Sequence, residues 1–305
     1  MSGSVRGLSD RGKTVKRVLL ILLILAVLAG GGYFGYLKYT QIKADKHQKA
    51  FEDLKEKAFV TTTPVQTAAR PTEEPGVTPE PTITPTGPSA EEMLYAAIAE
   101  KYEDFLTIRP DFEILHKENK DIFAYIAIPG TIIDYPVLKS EKEDYYLHYN
   151  LDHSKGYPGC LYIQNCNSAT LNDRFTIIYG HNMLNGTMFG SLKKYSDRDF
   201  RETHPFFFIY QEGRVMVYEV VVVSHLEPEH LLSEDYVERN GQWVFDAFDG
   251  YETARFLKRV KEENPDKAYV STPAPTDEDT IMVLSTCGEG RRYTVAGKLV
   301  LDIKD

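Results

Sequence analysis

The sequence is poor in the residues on which several kinds of chemistry depend. Three cysteines occur in 305 residues, Cys160, Cys166 and Cys287. That is an odd number, without a Cys-x-x-Cys pair of the kind that holds a structural metal. If Cys160 and Cys166 share one extended strand they stand about 20 Å apart, too far for a disulfide bond. Neither a disulfide framework nor a metal is expected. The chain also lacks a Gly-x-x-x-x-Gly-Lys phosphate loop and any repeat at a solenoid period, so no nucleotide or other cofactor is expected. Positive charge is scarce as well: the formal net charge is -10. Residues 1–17 hold five cations against Asp10, which leaves -14 for the remainder. Such a surface opposes a nucleic-acid backbone as a partner.

What is present falls into segments. After the basic tail 1–17, residues 18–37 (VLLILLILAVLAGGGYFGYL) contain no charge, and about twenty such residues suffice for a helix to cross a bilayer. They predict a transmembrane anchor, and the preceding basic residues predict a single-pass protein with a cytoplasmic N-terminus and an extracellular remainder. Residues 38–60 are charged and predicted helical. Residues 61–90 are rich in Pro and Thr, a composition that makes an extended tether rather than a core. A domain over 91–305 should follow.

The domain opens on Ser89-Ala90-Glu91-Glu92, a capping-box pattern that starts a helix, with Leu94, Ile98, Tyr102 and Phe105 along one helical stripe. From residue 121 the texture changes to β-rich runs at 122–128, 131–138, 160–165, 174–180, 206–211, 214–226, 280–286 and 292–303. The fold class is therefore mainly β. Eight strands predict a closed or nearly closed barrel, with a helix at 251–262 in the connection between strands six and seven.

Chemistry is expected where strands end. Cys287 terminates TIMVLST and is followed by Gly288-Glu289-Gly290-Arg291-Arg292. A tight turn there brings the next strand back beside the first. Alternation lets only one of Arg291 and Arg292 share the side of Cys287, and alternation alone leaves the choice open. An inward guanidinium would be a permanent donor to an oxyanion. The best proton partner is His181, which ends the apolar run IIYG. The other histidines lie in polar stretches, outside the domain, or at a strand end without such a glycine turn. A phosphatase loop that cradles phosphate needs Cys-x5-Arg running into a helix, whereas Cys287 and Arg292 are separated by four residues and precede a strand. A papain-like protease would carry its cysteine early and on a helix.

IIYGHNM, MFGSLKKY at 188–195, LSTC at a late strand end and RRYTVAGKLV near the C-terminus together resemble a sortase of class B, over about residues 93–305. The resemblance implies an eight-stranded β-barrel enzyme held at the membrane of a Gram-positive cell. It implies a cysteine transpeptidase that cleaves the C-terminal sorting signal of a secreted protein after a threonine. A thioester on Cys287 would pass the protein to an amine of a cell-wall precursor. On the same resemblance His181 is the general acid, Arg292 binds the signal and the oxyanion, and Asn167, Ser285 and Thr286 are candidate substrate contacts. Many relatives have a longer segment between cysteine and arginine, which keeps Arg291 as the alternative. A pilin-polymerising sortase, a hydrolytic cysteine peptidase and a non-enzymatic tethered binding module are the other readings.

Overall fold

The computed structural model describes residues 6–59, 89–227, 236–239, 242–245, 253–288 and 290–305. The predicted tether at 61–90 lies outside them except for its last two residues. The chain divides into two compact units, residues 1–49 and 50–305, and helix α1, Arg6–Phe59, begins in the first and ends in the second.

The expected membrane span is corrected here. Residues 18–37 do not form a helix of their own: they are the middle of α1, 54 residues long, and among the described residues no helix is long and apolar enough to cross a membrane. The stretch is not set off as an element of its own: one continuous helix carries it together with the charged residues between Arg6 and Arg17 before it and between Lys38 and Lys57 after it. The single-pass placement with an extracellular catalytic domain falls with the span.

In the second unit, the end of α1 packs its apolar side on the barrel. Phe51 meets Tyr135 edge-on at 5.4 Å between ring centres, and Phe59 meets Tyr125 at 5.3 Å, while Lys55 pairs with Asp134. Helix α2, Ala90–Thr107, starts at the capping box: Ser89 Oγ accepts from the Glu92 amide and Glu92 accepts in return from the Ser89 amide. Its buried residues Ile98, Tyr102 and Leu106 recur at four-residue spacing. A short helix α3, Phe112–Glu118, follows, capped by Asp111.

The strands are β1 Ile122–Ala127, β2 Asp134–Lys139, β3 Leu161–Ile163, β4 Phe175–Tyr179, β5 Phe206–Gln211, β6 Arg214–Leu226, β7 Tyr236–Arg239, β8 Gln242–Phe245, β9 Tyr269–Val270, β10 Ile281–Gly288 and β11 Arg291–Lys304. Between them lie α4 Tyr145–His148, a 3-10 helix Phe189–Ser196, α5 Arg198–Thr203 and α6 Thr253–Glu263. The order β11-β10-β4-β3-β2-β1-β5-β6, with β6 pairing back onto β11, closes a ring of eight. Closure removes the exposed edges that an open sheet would leave. β9 adds to β6 outside the ring, and β7–β8 form a separate hairpin. The predicted connecting helix is α6, between the sixth and seventh strands of the ring.

The seam of the barrel is its longest ladder, from Arg292↔Leu226 to Lys304↔Arg214. At its far end Arg214 grips Asp302 with two bonds of 2.6 and 2.9 Å. β10 pairs antiparallel with β11 and parallel with β4. The ends of these three strands carry the candidate site.

Candidate active site

Gly288 pairs with Arg291, so only residues 289 and 290 join β10 to β11. A two-residue connection fixes the register of a hairpin, and Gly290, at φ +76°, supplies a backbone shape that other residues resist. The consequence is that Cys287 is the cross-strand partner of Arg292. Directly opposed residues of an antiparallel pair share a face. The Arg292 guanidinium carbon lies 5.7 Å from the centre of the Tyr179 ring, which belongs to β4, on the far side of β10. Arg291 goes elsewhere: its Nη2 donates to Glu227 Oε1 at 2.7 Å and to the Glu263 carbonyl at 3.0 Å.

β4 reaches the same place from the other side. Ser285 pairs with Tyr179, and the Gly180 amide donates to the Ser285 carbonyl at 3.1 Å, extending the pairing by one residue. His181 thus lies two residues beyond Tyr179, the last residue of β4, as Cys287 lies two residues beyond Ser285, its partner on β10. Gly180 is a glycine for reasons of space: a Cβ there would meet the Phe189 ring at 2.8 Å. Of the three thiols Cys287 is exposed, Cys160 buried and Cys166 half-buried. Burial pushes the Cys160 thiol well above its ordinary range and Cys166 up to about 11, so neither forms a nucleophilic thiolate readily.

His181 is half-buried. Its Nε2 lies 3.2 Å from the Leu147 carbonyl, and its ring packs 5.1 Å from that of Tyr157. Burial holds its pKa below the usual histidine value; the Leu147 carbonyl opposes this and the nearby His148 adds to it.

Beneath Arg292 lies a pair of tyrosines that sequence reasoning did not single out. Tyr179 and Tyr162 stack at 5.6 Å. Tyr162 donates to Asp144 Oδ1 at 2.8 Å, which also accepts from Gln164 Nε2 at 2.7 Å. The pair forms an apolar floor on which a planar guanidinium can rest. The available signal was strand alternation, which puts Tyr179 on the side of His181.

The remaining predicted contacts separate. Ser285, two residues before Cys287, shares its side, while Thr286 faces the other way. Both are buried, and neither hydroxyl has a hydrogen-bond partner among the described residues. Asn167 is not with them. Its side chain donates to the Phe175 carbonyl at 2.9 Å and to Asp173 at 3.2 Å, and accepts from the Ile177 amide at 3.2 Å. This binds it to the beginning of β4, about 13 Å along the strand from His181. Among the described residues no group of three or more His, Cys, Asp or Glu could hold a metal ion.

An exposed thiol, a guanidinium across the hairpin from it and an imidazole just past the end of the neighbouring strand can form and resolve an acyl-enzyme. Residues 126–300 match the sortase domain. The chain belongs to the sortase family. It is 36% identical over 198 residues to sortase B of Listeria monocytogenes, covering 63% of this chain and 75% of that one. Sortase B of Staphylococcus aureus is 27% identical over 220 residues, covering 69% and 85% respectively. Among solved structures, Clostridium perfringens sortase B matches with a TM-score of 0.51 and 25% identity, over 63% of this chain and all of that one. Bacillus anthracis sortase B in complex with AAEK2 gives 0.50 and 28%, over 64% and 83%. The relatives place this sortase in class B, and sortases are cysteine transpeptidases.

Proposed function

We propose that this sortase cleaves a C-terminal sorting signal after a threonine and transfers the protein to a cell-wall amine, with Cys287, His181 and Arg292 as its catalytic residues. Cys287 Sγ, having passed its proton to His181, attacks the threonine carbonyl as the thiolate and forms the C–S bond. The carbonyl oxygen takes up negative charge, and Arg292, a donor that cannot lose its proton at neutral pH, hydrogen-bonds to it. The C–N bond then breaks as His181 gives its proton to the departing amide nitrogen. The acceptor amine attacks the resulting thioester, His181 takes the amine's proton, and Cys287 is released as thiolate.

The observation that carries this reading is the Cys287↔Arg292 pairing, with Arg292 lying over Tyr179. It sets a fixed cation one strand away from an exposed thiol. The stacked tyrosines limit where the guanidinium can go, so little reorganisation remains for the moment of reaction.

The test is to incubate the full chain with a library of signal peptides and candidate amines, and to follow acyl-enzyme and product by mass spectrometry. A mass increment on Cys287, lost in Cys287→Ala, followed by an amide product with a peptidoglycan-type amine is expected. Product formed with water alone would point to a hydrolase, and product formed only with a pilin lysine to a polymerising sortase. An active Cys287→Ala chain would overturn the mechanism itself.

A further inference from the structure

α4 is a single turn, so its carbonyls lack the partners that a longer helix would supply. Each is taken up individually. The Tyr145 carbonyl accepts from the Tyr149 amide at 3.1 Å, the Tyr146 carbonyl from Cys160 at 2.9 Å and the His148 carbonyl from Gly156 at 2.8 Å. The Leu147 carbonyl, between them, faces a side chain instead, His181 Nε2 at 3.2 Å. A carbonyl oxygen has no proton to give, so Nε2 must be the donor. In the neutral ring Nδ1 is then the acceptor, and in the cation the proton on Nδ1 is the one free to leave.

The segment returning to β3 holds this carbonyl in place. The Gly159 amide donates to Asn150 Oδ1 at 3.1 Å, and Gly159 sits at φ +68° against the backbone of α4. A Cβ at residue 159 would stand 2.9 Å from the Leu147 oxygen and nearer still to that of Tyr146. Only glycine lets the two segments approach so closely. The groups facing the His181 ring are the Leu147 carbonyl and His148 from α4 and Tyr157 from the same returning segment. No carboxylate among the described residues is hydrogen-bonded to the ring. A backbone oxygen thus occupies the position that a carboxylate takes in Ser-His-Asp sites.

We propose that the Leu147 carbonyl, kept in place by the close approach of Gly159, orients His181 with its proton on Nε2 and makes Nδ1 the nitrogen that exchanges protons during acyl transfer. This rests on the reading of His181 as the general acid. Gly159 and Leu147 are positioning residues and touch no reacting atom.

The direct test needs no substitution. Nitrogen-15 NMR of the histidine-labelled full chain, with the resonance assigned by its loss in His181→Gln, reports which ring nitrogen of neutral His181 carries hydrogen. A protonated Nε2 is expected; a protonated Nδ1 would overturn the proposal. In Gly159→Ala the carbonyl must move, so a mixed tautomer, a fall in kcat of about 10-fold or more and a near-constant KM are expected. Loss of the carbonyl also removes what raises the His181 pKa, so the fall in rate with rising pH should begin at lower pH. A folded Gly159→Ala chain with unchanged tautomer, kcat and pH profile would likewise overturn the proposal. The underlying reading is judged separately by His181→Gln: full activity there removes the general acid altogether, whereas inactivity beside an Nδ1-protonated ring removes only the orienting role.

Discussion

Arg292 stands across the β10–β11 ladder from Cys287, while Arg291, one residue earlier, is held by Glu227 and by the carbonyl end of α6. Two adjacent arginines therefore have different neighbours, and their substitutions should have different effects. Arg292→Lys keeps the charge but loses the planar fork, and acyl-enzyme formation should fall by roughly 100- to 1000-fold, as when an oxyanion donor is removed. Arg291→Lys should leave that rate within a few-fold and cost at most about 1 kcal/mol of stability, since its ion pair is largely exposed. Rapid-quench measurement of the acyl-enzyme, beside a denaturant melt, checks both. Equal loss of rate in the two variants would contradict the assignment.

The two hydroxyls before Cys287 make a second contrast. Neither has a hydrogen-bond partner among the described residues, so Ser285→Ala and Thr286→Val should each change stability by no more than about 1 kcal/mol. Ser285 alone shares the side of Cys287. If it meets the signal peptide, Ser285→Ala should raise KM by about 10-fold, the equivalent of one ordinary hydrogen bond. Thr286→Val should leave KM unchanged. Steady-state kinetics on one peptide decides it, and the opposite ranking would place the contact on the wrong face.

Asn167 should behave as part of the scaffold. Asn167→Ala leaves the Ile177 amide and the Phe175 carbonyl without the side-chain bonds they now have, in a buried setting, at a cost of about 2–3 kcal/mol. Its kcat and KM, measured well below the melting range, should match those of the parent chain. A stable Asn167→Ala variant with a raised KM would instead make it a substrate contact.

These differences track what the sequence makes legible. The eight barrel strands announce themselves through β-branched and aromatic runs, and α2 through its capping box, because those signals are local. β2 starts three residues later than predicted because Gly130, at φ +73°, and Thr131 close a turn first, with the Thr131 amide donating to the Ile128 carbonyl at 3.2 Å. The β7–β8 hairpin was missed although Asn240-Gly241, a hairpin-type pair, lies between its strands in the sequence. Its strands are only four residues each and carry too little pattern to stand out. At the site, Cys287 and His181 were visible as strand-terminal residues beside glycines. The tyrosine floor was not, because Tyr162 and Tyr179 meet through strand pairing rather than proximity in sequence. The Leu147 carbonyl could not be read at all, since a backbone oxygen has no letter of its own.

The same histidine links stability to pH in a direction that can be worked out. His181 binds its proton less readily in the folded chain than the ordinary value of about 6.5, with burial the largest cause. The unfolded chain therefore holds more proton than the folded one between those two values. Its contribution to stability is complete above about pH 6.5 and is lost as the pH falls through the folded value. Asp302 also titrates below its ordinary value, since the bonds from Arg214 outweigh the upward push of burial. Its contribution is lost only as the pH falls below about 4, so the two processes separate on the pH axis. Urea melts of the parent chain and of His181→Gln at about pH 7.5, 6.5 and 5.5 should show the parent losing stability relative to the variant as the pH drops. A difference that stays constant across that range would mean that His181 is not desolvated in the folded chain, and that its proton is held no less tightly there than in the unfolded one.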